Sequence, residues 1–121
     1  MTKRILVVED QEDNRRIVRD LLAHAGYEVI EVTDGEQALS AASTHFPDVI
    51  LMDIQLPILD GYEATRRIKA DPTLKHIPVI VVTSYALSGD DTEARAAGCD
   101  AYVAKPYSPR ALLAKIRKYA P

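Results

Sequence analysis

The sequence contains a single cysteine and no tryptophan, and it has no hydrophobic run long enough to cross a membrane. With Cys99 alone, the chain forms no internal disulfide and no metal site built from several cysteines. The six-residue run at 77–82 is far shorter than a membrane helix, and the N-terminus lacks the pattern of a signal peptide. The 15 basic residues are spread along a chain of net charge −3, so no basic stripe indicates nucleic-acid binding. These features fit a cytoplasmic protein that binds neither nucleic acid nor membrane.

What the sequence does contain is a regular alternation of two patterns. Five short runs rich in β-branched residues recur at even spacing, and three of them are almost entirely apolar, which is typical of strands covered on both faces. Segments with helical periodicity separate these runs. The alternation predicts an α/β fold, a doubly wound five-stranded parallel sheet with helices on both faces. The predicted strands are 4–8, 27–32, 48–52, 78–82 and 101–104.

Helix-capping residues mark the ends of several predicted helices. Asp34 and Asp60 each stand three residues before a Gln or a Glu, which is the spacing of a capping box. Ser108 is followed by Pro109, and proline is favoured at the first position of a helix. Gly26 stands where the first helix is expected to end. The stops and starts therefore agree with the alternation of strands and helices.

The chain is long enough for one hydrophobic core and too short for two domains. A fourth helix is predicted over 88–98, and the fifth begins at Ser108 and reaches the C-terminus. We therefore expect a single domain over 1–121 with no output domain after it.

Polar residues stand at the carboxyl ends of four predicted strands. Glu9 and Asp10 follow the first strand, and Asp53, Thr83 and Lys105 stand at the ends of the third, fourth and fifth. Ligands bind at this edge of open parallel sheets. Three clustered carboxylates repel one another, which raises the pKa of at least one of them and favours a bound cation. Such oxygen ligands suit Mg²⁺, and a carboxylate at such a site can accept a phosphoryl group as a nucleophile.

Each of these residues taken alone has an ordinary structural explanation. Asp53 can be a turn or capping residue, Thr83 a plain strand residue and Lys105 a solvated charge. Glu9 and Asp10 can stabilise the first turn of the next helix through its dipole. Their joint placement favours a phosphoryl site, because four separate strands would otherwise have to agree by chance.

Four motifs make the chain resemble the receiver domain of two-component response regulators over its whole length. They are VVED at 7–10, LMDIQLPILDG at 51–61, VVTS at 81–84 and AKP at 104–106. The chain is similar to the stand-alone kind found among regulators of chemotaxis and of the cell cycle. The resemblance implies a flavodoxin-like (βα)5 sheet with strand order 2-1-3-4-5. It also implies a signalling switch rather than an enzyme, with only weak self-catalysed phosphotransfer and dephosphorylation.

The same resemblance implies roles for the acidic residues. Asp53 is expected to be the phosphoacceptor. Asp10 and Asp53 are expected to ligate Mg²⁺ together with the backbone carbonyl of Gln55, and Glu9 is expected to act through a bound water. The family often has a second Asp where this chain has Glu9.

The resemblance further implies a conformational switch. Lys105 would pair with the phosphate and would precede Pro106 through a cis peptide bond. The hydroxyl of Thr83 would move to bond the phosphate, and Tyr102 would turn into the space that it leaves. The face that changes would be formed by the predicted helix 88–98, the fifth strand and the last helix, and it would bind a downstream protein target.

The expected phosphoryl donor is a sensor histidine kinase or a histidine phosphotransfer protein. By analogy it would dock around the start of the first helix, at Asn14, Arg15, Ile17 and Val18. Ile17 and Val18 also fit the apolar stripe of that helix, and the sequence favours core positions for both. The protein is expected to be a monomer or a weak dimer.

Three other functions fit parts of the pattern. A phosphatase of the haloacid dehalogenase type also uses an Asp, a Thr or Ser, a Lys and Mg²⁺, but it places Asp-x-Asp after its first strand, whereas Asp-Ile-Gln at 53–55 follows the third strand here. A flavodoxin-like cofactor carrier needs a loop rich in Ser, Thr and Gly where this chain has EDQEDN at 9–14. A structural interaction domain with an inactive site is disfavoured by the intact set of Asp53, Thr83 and Lys105.

Overall fold

Five parallel strands and four helices make up the part of the chain that the computed structural model describes, residues 2–83 and 96–121. The strands are β1 (Arg4–Val8), β2 (Glu28–Val32), β3 (Val49–Asp53), β4 (Val79–Thr83) and β5 (Ala101–Ala104). The helices are α1 (Glu12–His24), α2 (Gly35–His45), α3 (Gly61–Ala70) and the C-terminal helix α4 (Pro109–Tyr119). None of these described helices is long and apolar enough to cross a membrane.

The strand order is β2-β1-β3-β4-β5, and every neighbouring pair is parallel. This confirms the predicted α/β fold and its order 2-1-3-4-5. Asp53 lies opposite Val82 in the β3–β4 register, and Thr83 lies opposite Ala104 in the β4–β5 register. Because parallel strands all point the same way, the polar residues after β1, β3, β4 and β5 share one edge of the sheet.

Alternate residues of the strands enter two separate hydrophobic layers, since successive side chains of a strand point to opposite faces. On one face, Leu6, Ile50 and Met52 pack with residues of α2 and α3. On the other face, the neighbouring strand residues pack with α1 and α4. The buried members of this second layer include Ile5, Val7, Val18, Leu22, Leu51, Ile80, Leu112 and Ile116. Strands covered on both faces explain why their sequences are almost continuously apolar.

The predicted helix caps are present. The side chain of Asp34 accepts the backbone N–H of Gln37 over 2.8 Å, and Asp60 accepts that of Glu63 over 2.9 Å. Ser108 caps α4 by accepting the N–H of Ala111 over 3.1 Å. Each cap satisfies one donor that the first helical turn leaves unpaired. Gly26 follows α1 with a φ of 97°, a conformation that glycine adopts without strain.

One expectation about the core is wrong. The stripe of α1 includes Val18, which is buried, but Ile17 is 63% exposed. Adjacent residues of a helix are about 100° apart around its axis, so an apolar stripe that includes both 17 and 18 is wide. The sheet covers only the part of this stripe that contains Val18. Residues 84–95, with most of the helix predicted over 88–98 and the end of the VVTS motif, lie outside the described residues.

Candidate functional site

The carboxyl ends of β1 and β3 bring three carboxylates together. Glu9 and Asp10 directly follow β1, and Asp53 is the last residue of β3. One carboxylate oxygen from each of the three lies within 4.8 Å of the other two. Glu9 and Asp53 are only 8% and 6% exposed, whereas Asp10 is exposed. The cluster therefore has two buried acids and one that faces solvent.

Burial and the neighbouring Asp53 raise the pKa of Glu9. Burial, a hydrogen bond with the Asp53 side chain and the negative charge of Asp53 raise the pKa of the Glu9 carboxyl from 4.5 to about 7. The N–H of Gln11, 3.2 Å from Glu9 Oε2, and the charge of Lys105 lower this pKa but are outweighed. Near neutral pH, Glu9 therefore holds a proton part of the time, and a cation that needs the ionised cluster has to displace it.

Lys105 places a positive charge beside Asp53. Its Nζ lies 3.0 Å from Asp53 Oδ2, and its backbone N–H donates to the carbonyl of Thr83 over 2.8 Å. Burial lowers the pKa of the Lys105 amine. Its hydrogen bond to Asp53 and the negative charges of Asp53 and Glu9 together raise this pKa by more than burial lowers it, so the net shift is upward. The Lys105–Pro106 peptide bond is cis, as predicted. The lysine is thus held in its charged form at the carboxylate.

The three other residues predicted at the site are placed around this pair. Gln55 donates its backbone N–H to Asp53 Oδ1 over 3.2 Å, and its side chain is exposed. Thr83 is buried at the end of β4. Tyr102 is half-buried on β5, where it packs against the hydrophobic layer that contacts α2 and α3. Asp53 therefore has each oxygen engaged by a donor, one from Gln55 and one from Lys105.

The loop after Asp53 is fastened to the end of β3. The carbonyl of Ile54 accepts the N–H of Leu56 over 3.0 Å and that of Gly61 over 2.9 Å. Gly61 lies so close to this turn that a Cβ there would overlap the carbonyl oxygen of Asp53. The start of α3 thus packs directly on the backbone of Asp53, and this contact fixes the direction of the strand end.

An open cavity of about 460 Å³ adjoins the carboxylates. It is lined by Glu9, Asn14, Ile17, Lys105, Pro106 and Tyr107. Exposed Ile17 and half-buried Asn14 therefore belong to a surface beside the site, while Val18 belongs to the core. Burial raises the pKa of the Tyr107 hydroxyl, against the opposing attraction of Lys105, so Tyr107 stays protonated here.

Two residues beside the site make contacts that the sequence pattern does not indicate. Tyr107 lies just before the C-terminal helix, and the structure places it on the cavity with Glu9 and Lys105. Arg15, which the resemblance places on the donor surface, donates its Nη1 to the carbonyl of Glu9 over 3.0 Å. Periodicity indicates which residues are buried, but it does not indicate which backbone group a side chain reaches.

The chemistry of the donor set fits Mg²⁺. This ion takes hard oxygen ligands, commonly one or two carboxylates with several waters. The exposed carboxylate of Asp10 beside two buried carboxylates matches that preference. Burial raises the pKa of Glu9 most, and the hydrogen bond and negative charge of Asp53 add to it, so a cation at the cluster would favour the ionised form. Glu9, Asp10 and Asp53 are therefore the residues that can hold a metal among the described part of the chain.

The pH dependence of stability tests the environment of Glu9. Because its pKa is about 7 in the folded protein and 4.5 ordinarily, the folded state binds more protons between these values, and the group's contribution to stability falls as the pH rises through that range. In chelator, urea unfolding from pH 5 to 7 should show Glu9→Gln gaining stability over the wild type as the pH rises. The control is Glu12→Gln at an exposed position. A difference that stays constant with pH would contradict the assignment.

Comparison with known proteins gives consistent matches over almost the whole chain. Residues 5–117 match the response regulator receiver domain family. The chain is 47% identical over 119 residues to the polar-differentiation response regulator DivK of Brucella ovis, an alignment that covers 98% of this chain and 97% of that protein.

Solved structures resemble this one closely. The receiver domain of the sensor histidine kinase PA1611 from Pseudomonas aeruginosa is 39% identical with a TM-score of 0.91, over 98% of both chains, and has a magnesium ion coordinated in its active site cleft. The chemotaxis response regulator CheY4 of Vibrio cholerae is 28% identical with a TM-score of 0.92, over 98% of this chain and 99% of that one.

Proposed function

The chain belongs to the response regulator receiver domain family of two-component signalling, and from this premise we propose that Asp53 accepts a phosphoryl group from a phosphohistidine. The observation that carries the proposal is the pairing of Asp53 with Lys105 at 3.0 Å inside a cluster of three carboxylates. Receiver domains act as signalling switches rather than as classical enzymes. The residues around Asp53 therefore need only to position one transfer and to stabilise its product.

The transfer itself is a displacement at phosphorus. A carboxylate oxygen of Asp53 forms a bond to phosphorus as the phosphorus–nitrogen bond to the donor histidine breaks, and the electron pair of that bond returns to the imidazole. Lys105 neutralises negative charge on the moving phosphoryl group. The backbone N–H of Gln55, now 3.2 Å from Asp53 Oδ1, orients the carboxylate. The product is an acyl phosphate on Asp53.

We propose Mg²⁺ as the cofactor of this site. Asp10, Asp53 and the backbone carbonyl of Gln55 would hold the ion, and Glu9 would reach it through a water. When bound, the ion supplies charge neutralisation for the phosphoryl oxygens. The carboxylates of Glu9 and Asp10 also give the site a negative electrostatic potential, which attracts a divalent cation.

Phosphorylation then alters partner binding. Thr83 ends β4 beside Asp53, and its hydroxyl is proposed to bond the phosphoryl group. Tyr102, half-buried on β5, is proposed to turn inward in response. The face that changes would include β5 and α4 and would bind a downstream protein. Residues 1–121 are proposed to form one receiver domain whose output is that binding.

The donor is proposed to dock beside the cavity near α1. A sensor histidine kinase or a histidine phosphotransfer protein has to bring a phosphohistidine to Asp53. The cavity lined by Ile17, Asn14 and Tyr107 is also lined by Glu9, whose carboxylate lies next to that of Asp53. Ile17 is 63% exposed and offers an apolar contact there.

Intact mass measurement tests the phosphoacceptor function. The protein is incubated with acetyl phosphate and Mg²⁺, quenched rapidly and weighed, with a chelator-treated sample as the control. We expect the added mass of one phosphoryl group with Mg²⁺ and none with chelator. If acetyl phosphate gives no adduct, a purified phosphohistidine donor is used instead. Absence of the adduct with both donors would favour an interaction domain with an inactive site.

A further inference from the structure

Arg15 bridges the end of β1 and the neighbouring strand β2. Its Nη1 donates to the carbonyl oxygen of Glu9 over 3.0 Å, and its Nε lies 3.2 Å from Glu31 Oε1. The other carboxylate oxygen of Glu31 lies 3.6 Å from Nη1 of Arg19. The side chains of Arg15 and Glu31 are only 18% and 28% exposed, so the ion pair is partly shielded from solvent. The planar guanidinium can serve both acceptors at once, which a lysine ammonium on a flexible stem does less well.

The carbonyl that Arg15 binds belongs to the peptide group between Glu9 and Asp10. This peptide joins two of the three acids of the site, so its orientation decides the direction in which both side chains leave the backbone. The N–H of Glu9 is fixed separately, by donation to the carbonyl of Val32 over 3.1 Å. The carboxylate of Glu9 accepts the N–H of Gln11 over 3.2 Å. Among the described residues, no backbone donor serves the carbonyl of Glu9, and Arg15 is the side chain that donates to it.

We propose that Arg15, held by Glu31, is a positioning residue for the metal site, which acts by fixing the peptide between Glu9 and Asp10. The inference rests on the proposed function in that it takes these acids as Mg²⁺ ligands. Residues that orient metal ligands commonly affect affinity strongly although they never touch the ion.

The sign of the effect separates positioning from charge. Arg15 is a cation near a cation site, so its charge alone weakens Mg²⁺ binding, and removal of the charge would tighten binding. Loss of the peptide's orientation has the opposite effect and weakens binding. A purely structural role is distinct again, because it would lower the free energy of unfolding and leave the Mg²⁺ affinity of the folded protein unchanged.

The test compares Arg15→Met with Arg16→Met. The control removes the same charge from the adjacent residue, whose side chain is 56% exposed and pairs only loosely with Glu12 at 3.7 Å. Mg²⁺ titrations of the full chain are followed by backbone amide chemical shifts, and urea unfolding is measured alongside. We expect the Mg²⁺ dissociation constant to rise about tenfold in Arg15→Met, in line with other residues that orient metal ligands. We expect no increase in Arg16→Met.

A second variant keeps the test valid if Arg15→Met does not fold. Arg15→Lys retains the charge, so any weakening of Mg²⁺ binding in this variant comes from the lost guanidinium contact with the Glu9 carbonyl. We expect its Mg²⁺ dissociation constant to lie between those of the wild type and Arg15→Met. The rate of phosphorylation by acetyl phosphate adds a further readout. In both Arg15 variants the Mg²⁺ concentration for half-maximal rate should rise, while the rate at saturating Mg²⁺ stays near that of the wild type.

The outcomes are distinguishable. Unchanged or tighter Mg²⁺ binding in Arg15→Met, or wild-type binding in Arg15→Lys, overturns the positioning role and leaves the proposed function intact. Equal weakening in Arg16→Met also overturns it, because the effect would then not depend on the contact with Glu9. If the wild type itself binds no Mg²⁺, the proposed metal site fails and the positioning role fails with it.

Discussion

Asp53→Asn should reduce the acetyl phosphate adduct of this protein to background. The amide of Asn is nearly the same size as the carboxylate, but it has no negative oxygen to attack phosphorus. It also removes the negative charge that pairs with Lys105, whose Nζ lies 3.0 Å from Asp53 Oδ2. Intact mass after incubation with acetyl phosphate and Mg²⁺ gives the result directly, and no other described carboxylate has this lysine contact in the site.

The matched control is Asp60→Asn. Asp60 lies a few residues further along, where it caps α3 through the N–H of Glu63. Asn caps helices about as well as Asp, so this variant should fold and should be phosphorylated like the wild type. An adduct that persists in Asp53→Asn would show that the phosphoryl group is not carried by Asp53. Equal loss of the adduct in Asp60→Asn would show that the loss in Asp53→Asn is not specific to that residue.

Gly61→Ala should destabilise the protein by about 3 kcal/mol, near the upper end for an overpacked site. The new methyl group would overlap the carbonyl of Asp53 and the Cα of Ile54, and both are backbone atoms that cannot turn aside. Either α3 or the end of β3 has to move. The same displacement shifts Asp53 relative to Lys105, so phosphorylation by acetyl phosphate should also slow. Urea unfolding and the mass assay measure the two effects.

Gly26→Ala separates this steric cause from conformational strain. Gly26 has a φ of 97° and open space around its Cα, so an alanine there is strained without a clash. That strain should cost about 1 kcal/mol and should leave phosphorylation unchanged. Equal losses of stability in the two variants, or a Gly61→Ala protein as stable as the wild type, would contradict the close packing at Asp53.

Ile17 shows where reasoning from the pattern alone stops. Val18 and Ile17 are adjacent and equally apolar, yet one is buried and the other is 63% exposed. The stripe on α1 is wide enough for several orientations of the helix, and the neighbours decide which part is covered. Leu22 and Val18 pack in the layer shared with α4, which leaves Ile17 beside the cavity. Helical periodicity cannot supply that information, because it contains no distance to other elements.

The sequence by itself determined the architecture and the edge at which the site lies. Apolar β-branched runs alternate with capped helices, and this pattern permits only a covered parallel sheet, whose strand ends must share one edge. Glu9, Asp53, Thr83 and Lys105 could be assigned to that edge because each closes a strand.

Only the tertiary structure decided the interactions among those residues. Asp53 and Lys105 are 52 residues apart in the sequence, and their pairing at 3.0 Å depends on the register of β3, β4 and β5. The pKa of about 7 for Glu9 depends on burial beside Asp53, and the contact of Arg15 with the Glu9 carbonyl depends on how α1 packs over β2. Distances, burial and charge coupling arise from the packing of many elements together, whereas the alternation of strands and helices follows from a pattern within each segment.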